Sequence, residues 1–120
     1  MAAFAGELDA LSGVVTVQSG VVLQQLEDHL APHGFLVPLD LGARGSCQLG
    51  GNASTAAGGA RFTRFGSLRS NIVGLEAVKA DGTVLDMLTA MRKDNTGVDL
   101  KQLVSTPHAR SHATHEANSC

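Results

Sequence analysis

Residues 45–59 read GSCQLGGNASTAAGG and set two glycine pairs, Gly50-Gly51 and Gly58-Gly59, into one stretch with almost no charge. Nothing else in the chain restricts its fold as strongly. A residue without Cβ reaches backbone angles closed to others and lets a ligand lie against the main chain, at a cost in folding entropy. Asn52 is a good helix N-cap, residues 54–57 can make a short helix, and Gly58 can end it. A helix start aimed at Gly50-Gly51 offers backbone N–H groups and partial positive charge without Lys or Arg. That is a natural seat for phosphate, with side-chain hydrogen bonds added by Asn52, Ser54 and Thr55. It suits a large nucleotide cofactor whose diphosphate is held by neutral donors. The other reading is that the glycines make tight turns in a compact loop. Neither G-x-x-x-x-G-K followed by Ser or Thr, nor G-x-G-x-x-G after a strand, is present, so P-loop and Rossmann readings fall away.

The 120 residues suit one small domain. With 43% hydrophobic but only 3% aromatic residues, aliphatic side chains must fill the core. The formal charge of -2 gives no basic surface for nucleic acid. No apolar run approaches the roughly 20 residues a membrane helix needs, and the first residues resemble neither a signal nor a transit peptide. Cys47 and Cys120 make no disulfide framework, which points to a packed thiol, a free terminal thiol and a reducing compartment.

Residues 13–18 are β-branched and read as a strand. Val22, Leu23, Leu26 and Leu30 form one helical face, stopped by Pro32 and Gly34. Residues 35–37 make a short strand ended by Pro38. Residues 72–78 and 83–87 read as two strands joined at Asp81-Gly82, a sequence suited to a type I′ turn. Asp99 can cap a helical turn through Leu103. Residues 104–120 have neither period and read as a disordered tail. The expected organisation is an N-terminal segment 1–12, a partial domain 13–103 and the tail. In that tail His108, His112, His115 and Glu116 have spacing for a metal-binding helical face, but no apolar face pre-organises them, so no metal site is expected. Arg61, Arg64 and Arg69 either sit near an anion or belong to a solvated loop or to ion pairs with Glu76 or Asp40; the solvated or paired reading is favoured. His29 and His33 lie near a helix end, where a cation is favoured.

Several blocks in order are similar to one family. Residues 38–52 (PLDLGARGSCQLGGN), Ala57-Gly58-Gly59, Arg64-Phe65-Gly66, Val73-Gly-Leu-Glu76, residues 80–83 (ADGT) and residues 92–97 (RKDNTG) resemble the flavin-binding domain of the D-2-hydroxyglutarate dehydrogenases. These are vanillyl-alcohol-oxidase-like flavoproteins with a PCMH-type FAD-binding domain; D-lactate and glycolate dehydrogenases share a looser pattern. The resemblance spans residues 14–103. It implies an α+β fold, a small sheet flanked by helices that forms the second part of such a domain.

It also implies FAD as cofactor, held by Pro38, Leu39, Gly50, Gly51, Asn52, Thr55, Gly58, Gly59, Phe65 and Gly66. The activity implied is FAD-dependent oxidation of D-2-hydroxyglutarate to 2-oxoglutarate, in mitochondria. Ala57 stands where the family has Asn, Phe65 where it usually has Tyr, and Val98 where it has Tyr. The family's first phosphate loop precedes the strand at Val14, and its substrate domain follows residue 103, where this sequence diverges. The expectation is a truncated part of a longer enzyme that supplies FAD contacts, has no catalytic or metal residue of its own, is inactive alone and binds FAD weakly or not at all. The substrate, a small 2-hydroxy acid, belongs to the full-length enzyme, and neither nucleic acid nor a membrane span is expected.

Overall fold

The computed structural model describes residues 6–88 and 111–116. Among these residues five strands and three α-helices form around one aliphatic core. Strand β1 (Gly6–Asp9) turns through Gly13, whose φ is 70°, into β2 (Val14–Val17). Along β2, Val15 and Val17 are buried while Thr16 is exposed, the period of two that a sheet imposes. Helix α1 (Leu23–Leu30) buries Leu23, Leu26 and Leu30 along one face. The Gln25 side chain accepts the Val22 N–H at its start. A 3-10 turn over Ala31–His33 then ends at Gly34, with φ 77°. Helices α2 (Leu49–Ser54) and α3 (Phe62–Phe65) follow, then a 3-10 turn over Leu68–Asn71. The hairpin β3 (Leu75–Val78) and β4 (Val84–Met87) comes next.

The sheet order is β1-β2-β5-β3-β4, with every neighbouring pair antiparallel. The core joins Val15 and Val17 of β2 and Leu75 of β3 to the α1 leucines, Leu39, Leu49 and Ala53 of α2, and Leu68. The small sheet flanked by helices is the expected α+β architecture.

Strand β5 is Ser111–Glu116, lying between β2 and β3. Residues 104–120 show no strand period in the sequence, yet six of them take extended backbone. The main-chain donors and acceptors along β2 and β3 are a template that needs no apolar alternation in the pairing strand. Asp99, Leu103, Val98, His108 and Cys120 lie outside the described residues. Strand β1 was not anticipated, because Gly6, Glu7 and Asp9 carry low strand propensity; pairing with β2 overrides it.

Other boundaries move for local reasons. Residues 35–37 form no named strand and Pro38 is fully buried, because the segment runs into the core rather than along an edge. The β3–β4 connection is not a type I′ turn. Ala56 alone among the described non-glycine residues has positive φ, so Asp81 lacks the conformation such a turn requires. Lys79 N–H donates to Thr83 O at 2.9 Å and Gly82 N–H to Lys79 O at 3.0 Å, with Gly82 at φ 86°. This is a three-residue loop whose glycine takes the left-handed position.

The Asp81 carboxylate accepts the Thr83 N–H at 2.9 Å. That bond, then the Thr83 hydroxyl, holds Asp81 below its ordinary value of 3.8. A depressed carboxyl stabilises the turn above the unfolded-state value, and the contribution disappears as pH falls through the folded-state value. In an NMR pH titration the Thr83 amide shift is expected to stay flat down to the ordinary aspartate range and to move below it. Asp81→Asn should abolish that movement; a midpoint at or above 3.8 would contradict the bond's role.

Candidate functional site

Helix α2 begins four residues earlier than the cap at Asn52 would place it. Gln48 is its N-cap, and the helix is Leu49–Ser54. The reason is tertiary. Leu49 is wholly buried, its N–H donates to Val21 O at 3.0 Å, and the Gly50 N–H donates to Ser19 O at 2.8 Å. Gln48 bridges Val22. Burial and docking set the start of this short helix more than local propensity does. Gly50 therefore lies buried within the first turn, its amide committed to the protein. The expected picture, an open Gly50-Gly51 loop facing a later helix start, is corrected to a first helical turn that contains both.

The glycines divide into two kinds. A Cβ on Gly59, which has φ 78°, would fall inside the van der Waals shell of the Asp40 carbonyl oxygen. A Cβ on Gly58 would come within 2.9 Å of Phe62 Cδ2, and one on Gly66, at φ 73°, within 3.2 Å of Ser70 Oγ. These three are explained by the fold. Gly51 is exposed, and a Cβ there would meet nothing within 4 Å. Gly20, Gly42 and Gly45 are also open, but they lie outside helices and strands. Inside a helix, glycine costs roughly 1 kcal/mol relative to alanine, and nothing within the described fold requires it at residue 51. The first-turn N–H of Gly51 has no i−4 partner within a helix, and it points from an exposed residue. An open glycine flank at a helix start fits a ligand whose anionic group packs against the main chain.

The polar residues of α2 are partly used by the helix itself. Asn52 is 7% exposed and its Nδ2 donates to Cys47 Sγ at 3.5 Å. Thr55 Oγ1 donates back to Gly51 O at 3.0 Å and Ser54 Oγ to Gly50 O at 2.7 Å, the i−4 bonding open to hydroxyls in helices. Each hydroxyl oxygen can still accept a bond. After α2 the chain passes through Ala56, left-handed at φ 51°, a conformation uncommon for a residue with Cβ. Ala57 O then accepts the Leu68 N–H at 3.0 Å.

Pro38 and Leu39 are buried together with their main chain, so neither shows surface to a ligand. That main chain runs beside the second glycine pair. Asp40 and Gly59 form an isolated parallel bridge, and Ala60 N–H donates to Asp40 O at 2.9 Å. Phe65 and Gly66 close α3. The Phe65 carbonyl accepts Asn71 Nδ2 at 3.1 Å, and the Arg64 guanidinium lies 5.2 Å from the Phe65 ring centre. The structure thus joins Leu39-Asp40 to Gly58-Gly59, and sets Gly51 and Asn52 on α2 with Thr55 at its C-cap.

Charge around these segments is balanced. Arg61 lies 4.0 Å from Asp40, one of the two partners expected for the arginines, and 3.4 Å from Glu27, which sequence reading missed. Arg44 approaches Asp40 at 3.9 Å. Glu27 and Arg61 are 34 positions apart, and no sequence pattern announces the pair. Among the described residues no group of three or more His, Cys, Asp or Glu side chains is placed to hold a metal ion. Among the same residues no helix is long and apolar enough to cross a membrane.

The family model described as "FAD binding domain" matches residues 2–88. A probable mitochondrial D-2-hydroxyglutarate dehydrogenase of Oryza sativa subsp. indica is 59% identical over 95 residues, which is 79% of this chain and 17% of that protein. The mitochondrial D-2-hydroxyglutarate dehydrogenase of Bos taurus is 59% identical over 93 residues, 78% of this chain and 17% of its own length. A putative mitochondrial D-lactate dehydrogenase of Schizosaccharomyces pombe is 59% identical over 95 residues, 79% of this chain and 18% of that protein. The chain spans less than a fifth of the length of these curated relatives. Among solved structures, an alkyldihydroxyacetonephosphate synthase superposes with a TM-score of 0.78 at 18% identity, covering 94% of this chain and 20% of that one. At that identity it shows the fold alone.

The two kinds of glycine separate in stability measurements. Gly59→Ala adds a Cβ at a positive φ and against a carbonyl, and is expected to cost more than about 2 kcal/mol. Gly51→Ala relieves a helical glycine with open space around it, and is expected to stabilise by about 0.5–1 kcal/mol. Urea unfolding of the two variants beside the parent checks both signs.

Proposed function

The chain belongs to the FAD binding domain family, matched over residues 2–88, and from that premise we propose that it forms part of the FAD cradle of a D-2-hydroxyglutarate dehydrogenase. The protein it belongs to would oxidise D-2-hydroxyglutarate to 2-oxoglutarate, in mitochondria like the rice and cattle enzymes. The observation that carries the reading is the 59% identity to those two enzymes across nearly four-fifths of this chain. When bound, FAD supplies the two-electron acceptor, and the protein's part is to bind and orient it.

Gly51 gives the cofactor's anionic groups an open stretch of main chain, with Asn52 next to it on α2 and Thr55 at the helix C-cap. The Gly58-Gly59 main chain offers a second wall, and Pro38 and Leu39, buried behind it, act indirectly by setting its position. Gly50 acts indirectly, by docking α2 through its amide to Ser19 O. Phe65 and Gly66 present an aromatic ring and a bare backbone where α3 ends. No residue of this chain is assigned to proton transfer or to the substrate carboxylates.

A second reading concerns the substrate. The fission-yeast relative named as a putative D-lactate dehydrogenase is as similar as the others, so the class common to both is a D-2-hydroxy acid. The pocket that tells the two apart would lie on other parts of the full-length protein.

The test is a titration of the chain into FAD, followed by flavin fluorescence and then by desalting. The expected result is a weak but saturable change, with the flavin lost on desalting and no turnover of either hydroxy acid. Gly51→Leu should raise the FAD dissociation constant about tenfold, a loss of roughly 1.4 kcal/mol, without lowering the unfolding midpoint. Flavin retained on desalting would overturn the expected weak binding, and FAD binding unaltered by Gly51→Leu would overturn the role given to Gly51.

A further inference from the structure

We propose that Arg61 is a positioning residue that holds the Gly58-Gly59 wall of the cofactor site against the Pro38-Leu39 segment behind it. The proposal rests on the FAD reading above and adds to it a residue without any direct cofactor contact. The Pro38-Leu39 segment is buried in the core, and Gly59 lies exposed in front of it. Their backbone connection is slight: an isolated parallel bridge between Asp40 and Gly59, and the Ala60 N–H bond to Asp40 O at 2.9 Å. A bridge with no ladder on either side opens locally far more readily than a strand in a sheet.

The Arg61 side chain reinforces that connection from the flank. Its Nη1 donates to the Val37 carbonyl at 2.7 Å and lies 3.4 Å from Glu27 Oε1 on α1. Its Nη2 lies 4.0 Å from Asp40 Oδ2. One guanidinium therefore meets Val37 and Asp40, the residues on either side of Pro38-Leu39, while its own backbone follows Gly59-Ala60. Glu27 anchors the group to α1, whose leucines lie in the core. The three partners lie in different directions, which suits a rigid planar fork and not the single ammonium of lysine. The Arg61 side chain is 26% exposed and Glu27 15%, so these bonds form largely out of water, where they are stronger than surface pairs. With its donors turned onto the protein, Arg61 serves as a brace and not as a phosphate ligand.

The experiment compares Arg61→Ala, Arg61→Lys and Glu27→Gln with the parent chain. Amide hydrogen exchange at Ala60 is measured without FAD, and FAD affinity by fluorescence titration. Arg61→Ala is expected to speed exchange at Ala60 at least about tenfold, leave the Leu26 amide of α1 unchanged, and raise the FAD dissociation constant by about tenfold. Arg61→Lys keeps the charge but not the fork, and should recover only a minor part of either effect. Glu27→Gln keeps the fold, removes one anchor and should give a smaller change in the same direction; it decides the matter if Arg61→Ala fails to fold. Unchanged Ala60 exchange would overturn the brace. Faster Ala60 exchange with unaltered FAD affinity would overturn its positioning role and leave a purely structural one. Should the parent chain, which spans less than a fifth of its relatives' length, not bind FAD measurably, Ala60 exchange decides the brace by itself and the affinity comparison is made in the full-length protein.

Discussion

The arrangement depends on one close approach: the main chain at Gly59 passes so near the Asp40 carbonyl that a single carbon atom on residue 59 would not fit. That approach brings two segments almost twenty positions apart in sequence into one surface. It also explains why the glycine must be there whether or not a ligand ever binds. A glycine-rich stretch invites a ligand-centred explanation for every member, yet here Gly58, Gly59 and Gly66 answer to Phe62, Asp40 and Ser70. Only the exposed helical Gly51 has no internal reason, and so it alone of these carries an argument for something approaching from outside.

The second structural determinant is the docking of α2. Its first amides bond to carbonyls of the β2–α1 connection, and Leu49 fills the core behind them. A six-residue helix has little stability of its own, since nucleation is unfavourable and few bonds follow. Anchoring at its start lets the same short element hold Gly51, Asn52 and Thr55 in fixed relation. The consequence for chemistry is that the neutral Gly51 and Thr55 face the open side, while Asn52 is turned inward to Cys47. The cations nearby are turned elsewhere: Arg61 toward Val37, Glu27 and Asp40, and Arg44 toward Asp40.

The sheet shows a different balance between local and tertiary effects. Strands β2 and β4 follow apolar and β-branched residues visible in sequence, whereas β1 and β5 contain few. Both are recruited by a neighbour's backbone, β1 by β2 and β5 by β2 and β3 together. Hydrogen bonding between main chains is indifferent to side-chain pattern, so a period-two search passes over such strands.

The sequence by itself determined the apolar periods of β2 and α1, the stops at Pro32 and Gly34, the turn near Asp81-Gly82 and, through the order of its motif blocks, the α+β flavin-binding fold and its cofactor. These are legible because each depends on residues within a turn or two of one another, or on a long ordered pattern. Only the tertiary structure decided where α2 begins, which glycines serve the fold and which face outward, and that Arg61 joins Val37 and Glu27. Most of those outcomes depend on which atoms lie across a gap of about twenty positions or more, as between Gly59 and Asp40 or Arg61 and Glu27. Steric fit and hydrogen bonding at that range follow from how the core closes, and no local pattern of residues encodes it.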